Sequence, residues 1–183
     1  QTMIKLLTTK SSMELHGYSQ SLGIPSVREK VASSLNKRFG MNYTADHIFM
    51  ASGAAGALAH AFRLVTLPGD EVLTFAPYFP EYNPYVNLSG AVLKVVPPNT
   101  ENFQINFDEF ESMISNKTMA VLINTPNNPS GVVYSTETIK KLSEILTERS
   151  KLYGHTIYLI SDEPYREIIF EGVDSPYISN YYD

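Results

Sequence analysis

Cysteine is absent from the chain, which excludes disulfide bonds, thiolate metal sites and a cysteine nucleophile. A cysteine-free composition fits a reducing cytosol, and a cytoplasmic location is the expectation. No apolar run approaches the roughly 20 residues that a membrane-spanning helix needs. The opening Gln1–Leu7 has neither a signal-peptide apolar stretch nor a cleavage site, so no membrane partner is expected. No basic block exceeds the pair Lys140-Lys141, and a formal net charge of −5 is spread along the chain, which argues against nucleic acid as a partner. The histidines, at 16, 47, 60 and 155, have no metal-ligand spacing. No glycine precedes a lysine, so a G-x-x-x-x-G-K-[ST] phosphate loop is excluded, and with it the reading of Ser161-Asp162-Glu163 as the magnesium-holding acid of an ATPase. Neither G-x-G-x-x-G nor G-x-S-x-G occurs.

What is present suits one domain: 183 residues, of which 43% are hydrophobic. Short apolar runs at His47–Ala51, Glu71–Phe75, Ala91–Val96, Met119–Asn124 and Ile157–Ser161 read as strands buried on both faces. Helical patterns lie between them at Ser26–Phe39, Ala55–Leu67, Pro80–Leu88, Phe107–Ile114 and Thr136–Tyr153. Asn106 with Glu109 has capping-box spacing, Ser135 suits an N-cap, and Pro68-Gly69-Asp70 closes a helix into a strand. Strand–helix alternation implies right-handed crossovers and a mostly parallel sheet covered on both faces, a three-layer αβα architecture. Ligands of such sheets bind outside the carboxyl ends of the strands, which directs attention to the residues after Ala51, Phe75, Asn124 and Ser161.

Ser52-Gly53-Ala54-Ala55-Gly56 leads from a strand into a helix. Free amides at a helix start bind phosphate, and small residues allow close approach; a tight turn packing a helix on a sheet would have the same sequence. Ala76-Pro77-Tyr78-Phe79-Pro80-Glu81-Tyr82 presents aromatics at a strand end, either to stack on a flat ligand or to fill core space. Asn124-Thr125-Pro126-Asn127-Asn128-Pro129-Ser130-Gly131 has a density of Asn and Pro that a plain turn does not require. Its prolines fix the backbone, either is a candidate for a cis bond, and its amides donate and accept in fixed directions. Ser161-Asp162-Glu163-Pro164-Tyr165-Arg166 sets an acid directly after an apolar strand.

In this order, these segments resemble the large domain of fold-type-I pyridoxal-phosphate (PLP) enzymes, the aminotransferase class I/II family. The likeness runs from His16–Gly23 with Ser26-Val27-Arg28-Glu29, similar to an entry motif Y-x-x-x-x-G-x-x-x-L-R, through Asn124–Gly131 and Ser161–Arg166. It implies that the amides of Gly53, Ala54 and Ala55 hold the cofactor phosphate, in a turn where the family often has a hydroxyl side chain and this chain has Gly and Ala. It implies that Phe79 stacks on the pyridine ring, that Asn128 and Tyr165 bond its phenolic oxygen, and that Asp162 pairs with the ring nitrogen. Tyr18 is expected to reach the phosphate of a partner subunit, hence a homodimer.

The family's Schiff-base lysine, in an S-x-x-K context after a further strand, is expected beyond Asp183, because none of the nine lysines follows such a strand; Lys37, with Ser34 three residues before it, lies inside the helical pattern Ser26–Phe39. The sequence opens without Met and its tail closes with no helix or strand. It is therefore read as residues 1–183 of a large domain truncated at both ends, without the small C-terminal domain and inactive alone. Amino transfer between an amino acid and a 2-oxo acid is the expected reaction. A PLP-dependent lyase or amino-acid decarboxylase uses the same pocket residues and stays open, as does a non-catalytic module.

Overall fold

The computed structural model describes residues 2–170 and 172–182 and divides into two compact units, Gln1–Ala51 and Ser52–Asp183. The first unit is helical. Helix α1 covers Thr2–Thr9 and α2 covers Ser12–His16. Ser11 accepts from the Glu14 amide while the Glu14 carboxylate accepts from the Ser11 amide at 2.9 Å, a reciprocal cap. Helix α3, Pro25–Phe39, starts at a proline whose missing N–H is one a helix start leaves unpaired anyway. It ends at Gly40, whose φ of 71° is left-handed.

The run His47–Ala51, expected as a first strand, is not one. Its neighbouring backbone is consumed locally: the His47 and Ile48 amides turn back to Thr44 and Ala45, and the Met50 amide donates to Leu22 at 3.2 Å. The buried Arg28 guanidinium of α3 takes the Ala45 and Ile48 carbonyls at 2.7 and 2.8 Å. Phe49 and Met50 are exposed, so the apolar character that suggested a strand is not buried in this unit.

In the second unit α4 (Gly53–Val65), β1 (Glu71–Phe75), α5 (Tyr82–Asn87), β2 (Val92–Val96), α6 (Phe107–Met113), β3 (Thr118–Asn124), α7 (Thr136–Tyr153) and β4 (Tyr158–Asp162) follow in turn. The four strands are parallel, in the order β2-β1-β3-β4. Strand pleating sends alternate residues to opposite faces. Val72, Ala120 and Leu122 meet Leu58 and Phe62 of α4 and Val86 of α5. Leu73, Val121 and Ile123 meet Phe110 of α6 and Ile139 and Leu142 of α7. The crossover from β1 to β2 runs toward one edge with α5 on one face. Those from β2 to β3 and from β3 to β4 run the other way with α6 and α7 on the opposite face. Opposite direction with opposite face keeps one hand throughout, as right-handed crossovers require. The chain order reverses between β1 and β3, and there the carboxyl ends of the strands open a crevice.

The caps read from sequence are present. The Ser135 side chain accepts from Thr138 at 3.1 Å, and Asn106 accepts from Glu109 at 3.4 Å. Burial on both faces holds for the central β1 and β3, whereas the edge strands β2 and β4 are partly exposed. Leu122→Ala, in the middle of β3 with no exposure, is expected to cost about 3 kcal/mol of unfolding free energy. Val92→Ala, half exposed on the edge, is expected to cost no more than about 0.5 kcal/mol. Urea titration of the two variants checks the contrast.

Candidate active site

The ladder between β3 and β4 pairs Asn124 with Asp162 at its last rung. Asn124 is 4% exposed, and its amide uses both ends. Nδ2 donates to the Asp162 carbonyl at 2.8 Å, and Oδ1 accepts the Asn128 amide at 2.6 Å. The Asn128 side chain in turn donates to Tyr165 Oη at 3.3 Å. Asn127 does comparable work for the backbone. Its Nδ2 donates to the Pro77 carbonyl at 3.2 Å, tying the loop after β3 to the loop after β1, and its Oδ1 accepts the Ser130 amide and hydroxyl at 3.0 and 2.7 Å. The bonds Ala76-Pro77, Thr125-Pro126 and Asn128-Pro129 are cis. The density of Asn in this stretch has a physical reason, since each amide fastens a loop that no helix or strand would hold.

The Asp162 carboxylate is half-buried and accepts from Tyr82 Oη at 2.7 Å. Burial pushes its pKa up, the neighbouring Glu163 charge adds to that, and the Tyr82 hydrogen bond opposes it, leaving it above the ordinary aspartate value. Tyr82 is itself pushed up, first by burial and then by that bond. Glu163 is occupied elsewhere: it accepts from Ser161 Oγ at 2.8 Å and from Arg166 Nε at 2.6 Å. Ion pairs engage Glu14, Asp46, Glu71, Glu111 and Glu163, and among the described residues no cation is within ion-pair reach of Asp162. A carboxylate that desolvation disfavours, set at the mouth of a parallel sheet without a positive partner, fits a ligand that brings its own N–H⁺.

Phe79, Asn128, Asp162 and Tyr165 are thus brought together, through Tyr82 and Asn124. The Phe79 ring meets Tyr82 edge to face, with centroids 5.7 Å apart. Gly53, Ala54 and Ala55 open α4 on the same face of the sheet as Tyr82, exposed, and the Ser52 side chain caps none of their amides. Gly53 has a φ of 79° and open space where a Cβ would stand. Tyr18 lies in the first unit, after α2, fully exposed. A cavity of about 580 Å³ adjoins Asn128 and Tyr165 and is walled by Val133, Ile168, Ile169 and Phe170. Asp162 and Phe79 are not in its lining, so it lies beside the carboxylate cluster. Sequence reasoning passed over Tyr82 and Asn124. The signals were available, Tyr82 being the aromatic three residues past Phe79 and Asn124 the polar residue closing an apolar strand.

The family model for aminotransferase class I and II matches residues 2–180. The chain belongs to this family. Aminotransferases of this class depend on pyridoxal phosphate. The chain is 36% identical over 154 residues to an aspartate aminotransferase of Thermotoga maritima, covering 84% of this chain and 39% of that protein. It is 35% identical to a probable aspartate/prephenate aminotransferase of Thermus aquaticus, covering 85% and 39%. Among solved structures, an aminotransferase from Eubacterium rectale superimposes with a TM-score of 0.97 at 48% identity, over 100% of this chain and 46% of that one. The Thermus thermophilus aspartate aminotransferase with maleate gives 0.85 at 28% identity, over 97% and 44%. The chain spans about two fifths of the length of the curated relatives it matches. The aminotransferase fold seen in these structures accounts for the parallel sheet and the loops at its carboxyl ends.

Replacing Asn124 by Leu leaves the Asn128 amide and the Asp162 carbonyl without their partners and is expected to destabilise the chain by roughly 2–3 kcal/mol. Hydrogen exchange at the Asn128 amide, read alongside urea unfolding, checks both the loss and its location. Asp162 has the opposite character. Because its folded pKa lies above the unfolded value, the folded state binds the proton more readily, and stability falls as pH rises from the unfolded pKa through the folded one. Asp162→Asn removes that penalty. The cofactor-free variant is expected to unfold at higher urea than the unmutated chain at pH 7, and with a smaller gap at pH 3.

Proposed function

We propose that these residues form the pyridoxal-phosphate-binding part of an enzyme that moves an amino group between an amino acid and a 2-oxo acid. The observation that carries this is the Asp162 carboxylate, half-buried and bonded by Tyr82, with no cation among the described residues to balance it; the Asp162 backbone carbonyl is joined through Asn124 to Asn128 and Tyr165. The names of the relatives, aspartate and aspartate/prephenate aminotransferases, support the reaction class. In this assignment residues 1–183 are part of the large domain, and the small domain and the lysine that holds the cofactor covalently belong to other residues. No lysine of the sheet-bearing unit has a serine three residues before it; Lys94 pairs with Glu71 at 2.7 Å, and Lys141 lies over the Phe107 ring at 4.4 Å. On the missing S-x-x-K context these residues alone are expected to be inactive. A cytoplasmic setting accords with the cysteine-free sequence.

The residues suit the cofactor group by group. Asp162 pairs with the protonated ring nitrogen and holds that proton in place; a nearby carboxylate raises such a pKa by roughly 1–3 units. Asn128 and Tyr165 offer an N–H and an O–H to the phenolic oxygen. Phe79 offers a ring face to the heterocycle. The amides of Gly53, Ala54 and Ala55, at the start of a 13-residue helix, take the phosphate, where the helix dipole favours negative charge. Tyr18, exposed on the first unit, reaches the phosphate held by a partner subunit in a homodimer. Bound there, pyridoxal phosphate supplies an electron sink for the substrate's α-carbon.

In the full-length protein Asp162→Ala is expected to lower kcat roughly a hundredfold or more, the scale seen when a fixed electrostatic partner of a developing charge is lost. The cofactor stays bound by its phosphate. Steady-state kinetics of amino transfer to 2-oxoglutarate, with the cofactor absorbance recorded on the same sample, test it. Turnover near that of the unmutated enzyme would sink the assignment.

A further inference from the structure

Tyr82 has no part in the roles above, yet among the described residues it makes the hydrogen bond that the Asp162 carboxylate receives, Oη to Oδ2 at 2.7 Å. Its side chain is 1% exposed, packed with Leu58, Phe62 and Val86 between α4, α5 and the sheet. Its amide donates to the Phe79 carbonyl at 3.0 Å, and the two rings meet edge to face at 79°. A phenol fixed in an apolar layer must give its O–H to an acceptor, and here the ring is held too tightly to choose another. We propose that Tyr82 is a positioning residue: it fixes the direction of the Asp162 carboxylate and couples it to the Phe79 ring, so that the groups meeting the nitrogen and the face of the heterocycle form one rigid unit. This rests on the cofactor assignment made for the site.

The chemistry of a phenol suits the task. It gives one proton and carries no charge, so it steadies the carboxylate without neutralising it and leaves Oδ1 for an incoming N–H⁺. A lysine or arginine in its place would satisfy the carboxylate outright and repel the protonated ring. The other titratable neighbours are Glu163, which acts on Asp162, and Tyr165 and Tyr134, which act on Tyr82. None of these gives Asp162 a hydrogen bond in its place.

Tyr82→Phe keeps the ring and removes the hydroxyl. In the full chain without cofactor, NMR titration of the Asp162 carboxyl carbon is expected to move upward, because the lost bond favours the ionised form. Tyr82→3-fluorotyrosine, a stronger donor of nearly the same shape, is expected to move it downward. An Asp162 titration that ignores both variants overturns the proposal whatever the cofactor does. Binding of pyridoxal phosphate and of its 1-deaza analogue, which has carbon in place of the ring nitrogen, supplies the second reading. Tyr82→Phe is expected to weaken pyridoxal phosphate about tenfold, the scale of a charge-assisted hydrogen bond, and to leave the analogue nearly unchanged. Equal weakening of both marks Tyr82 as packing and overturns the proposal. If the unmutated chain binds the two equally, the pairing of Asp162 with the ring nitrogen fails, while the carboxyl titration still decides the role of Tyr82.

Discussion

The last rung of the β3–β4 ladder, where Asn124 stands opposite Asp162, is the constraint on which the site depends. Parallel pairing puts both residues at the carboxyl ends of their strands, and the register decides that one amide side chain can reach a backbone carbonyl of one strand and a loop amide of the other. A slip of one residue would turn Asp162 to the opposite face, toward α6 and α7, and leave Tyr82 with nothing to bond. What holds the register is the apolar filling of both faces: Leu122 with the α4–α5 layer, Val121 and Ile123 with the α6–α7 layer. Core packing and site chemistry are therefore one problem, since the side chains that exclude water from the sheet also fix where its polar ends point.

The electrostatics of the cluster follow from that placement. Half-burial disfavours the charge on Asp162, and among the described residues the answer is a neutral donor, the Tyr82 hydroxyl. Its neighbour Glu163, by contrast, is fully engaged by Arg166 and Ser161, and Arg166 also donates to the Ser175 and Pro176 carbonyls. Two adjacent acids thus have different environments: Glu163 is held by a cation and a hydroxyl, Asp162 by a phenol.

Much of this was legible in the sequence. The strands at 71, 92, 118 and 158 are short apolar runs with turn signals, and the caps at Asn106 and Ser135 are local chemistry that needs no tertiary context. The loops after β3 and β4 showed themselves by residue types too costly to place idly. What stayed hidden depended on partners distant in sequence. The run 47–51 has a strand's composition, but Arg28, 17 residues from Ala45 and 20 from Ile48, takes its flanking carbonyls. Tyr82 and Asp162 are 80 residues apart, so no spacing rule joins them. Asn124 passed as the end of a strand, because the bond from its Nδ2 to the Asp162 carbonyl exists only once β4 lies beside β3.

The polar contacts of the cluster come from strand ends and the first turns beyond them, elements braced on both sides. The wall of the neighbouring cavity at Ile168, Ile169 and Phe170 belongs to a stretch with no helix or strand. Mutational drift along that stretch can widen, narrow or recolour the cavity while the Asn124–Asp162–Tyr82 lattice stays as it is. A lineage built on this scaffold is free to reshape the cavity without disturbing the polar cluster beside it.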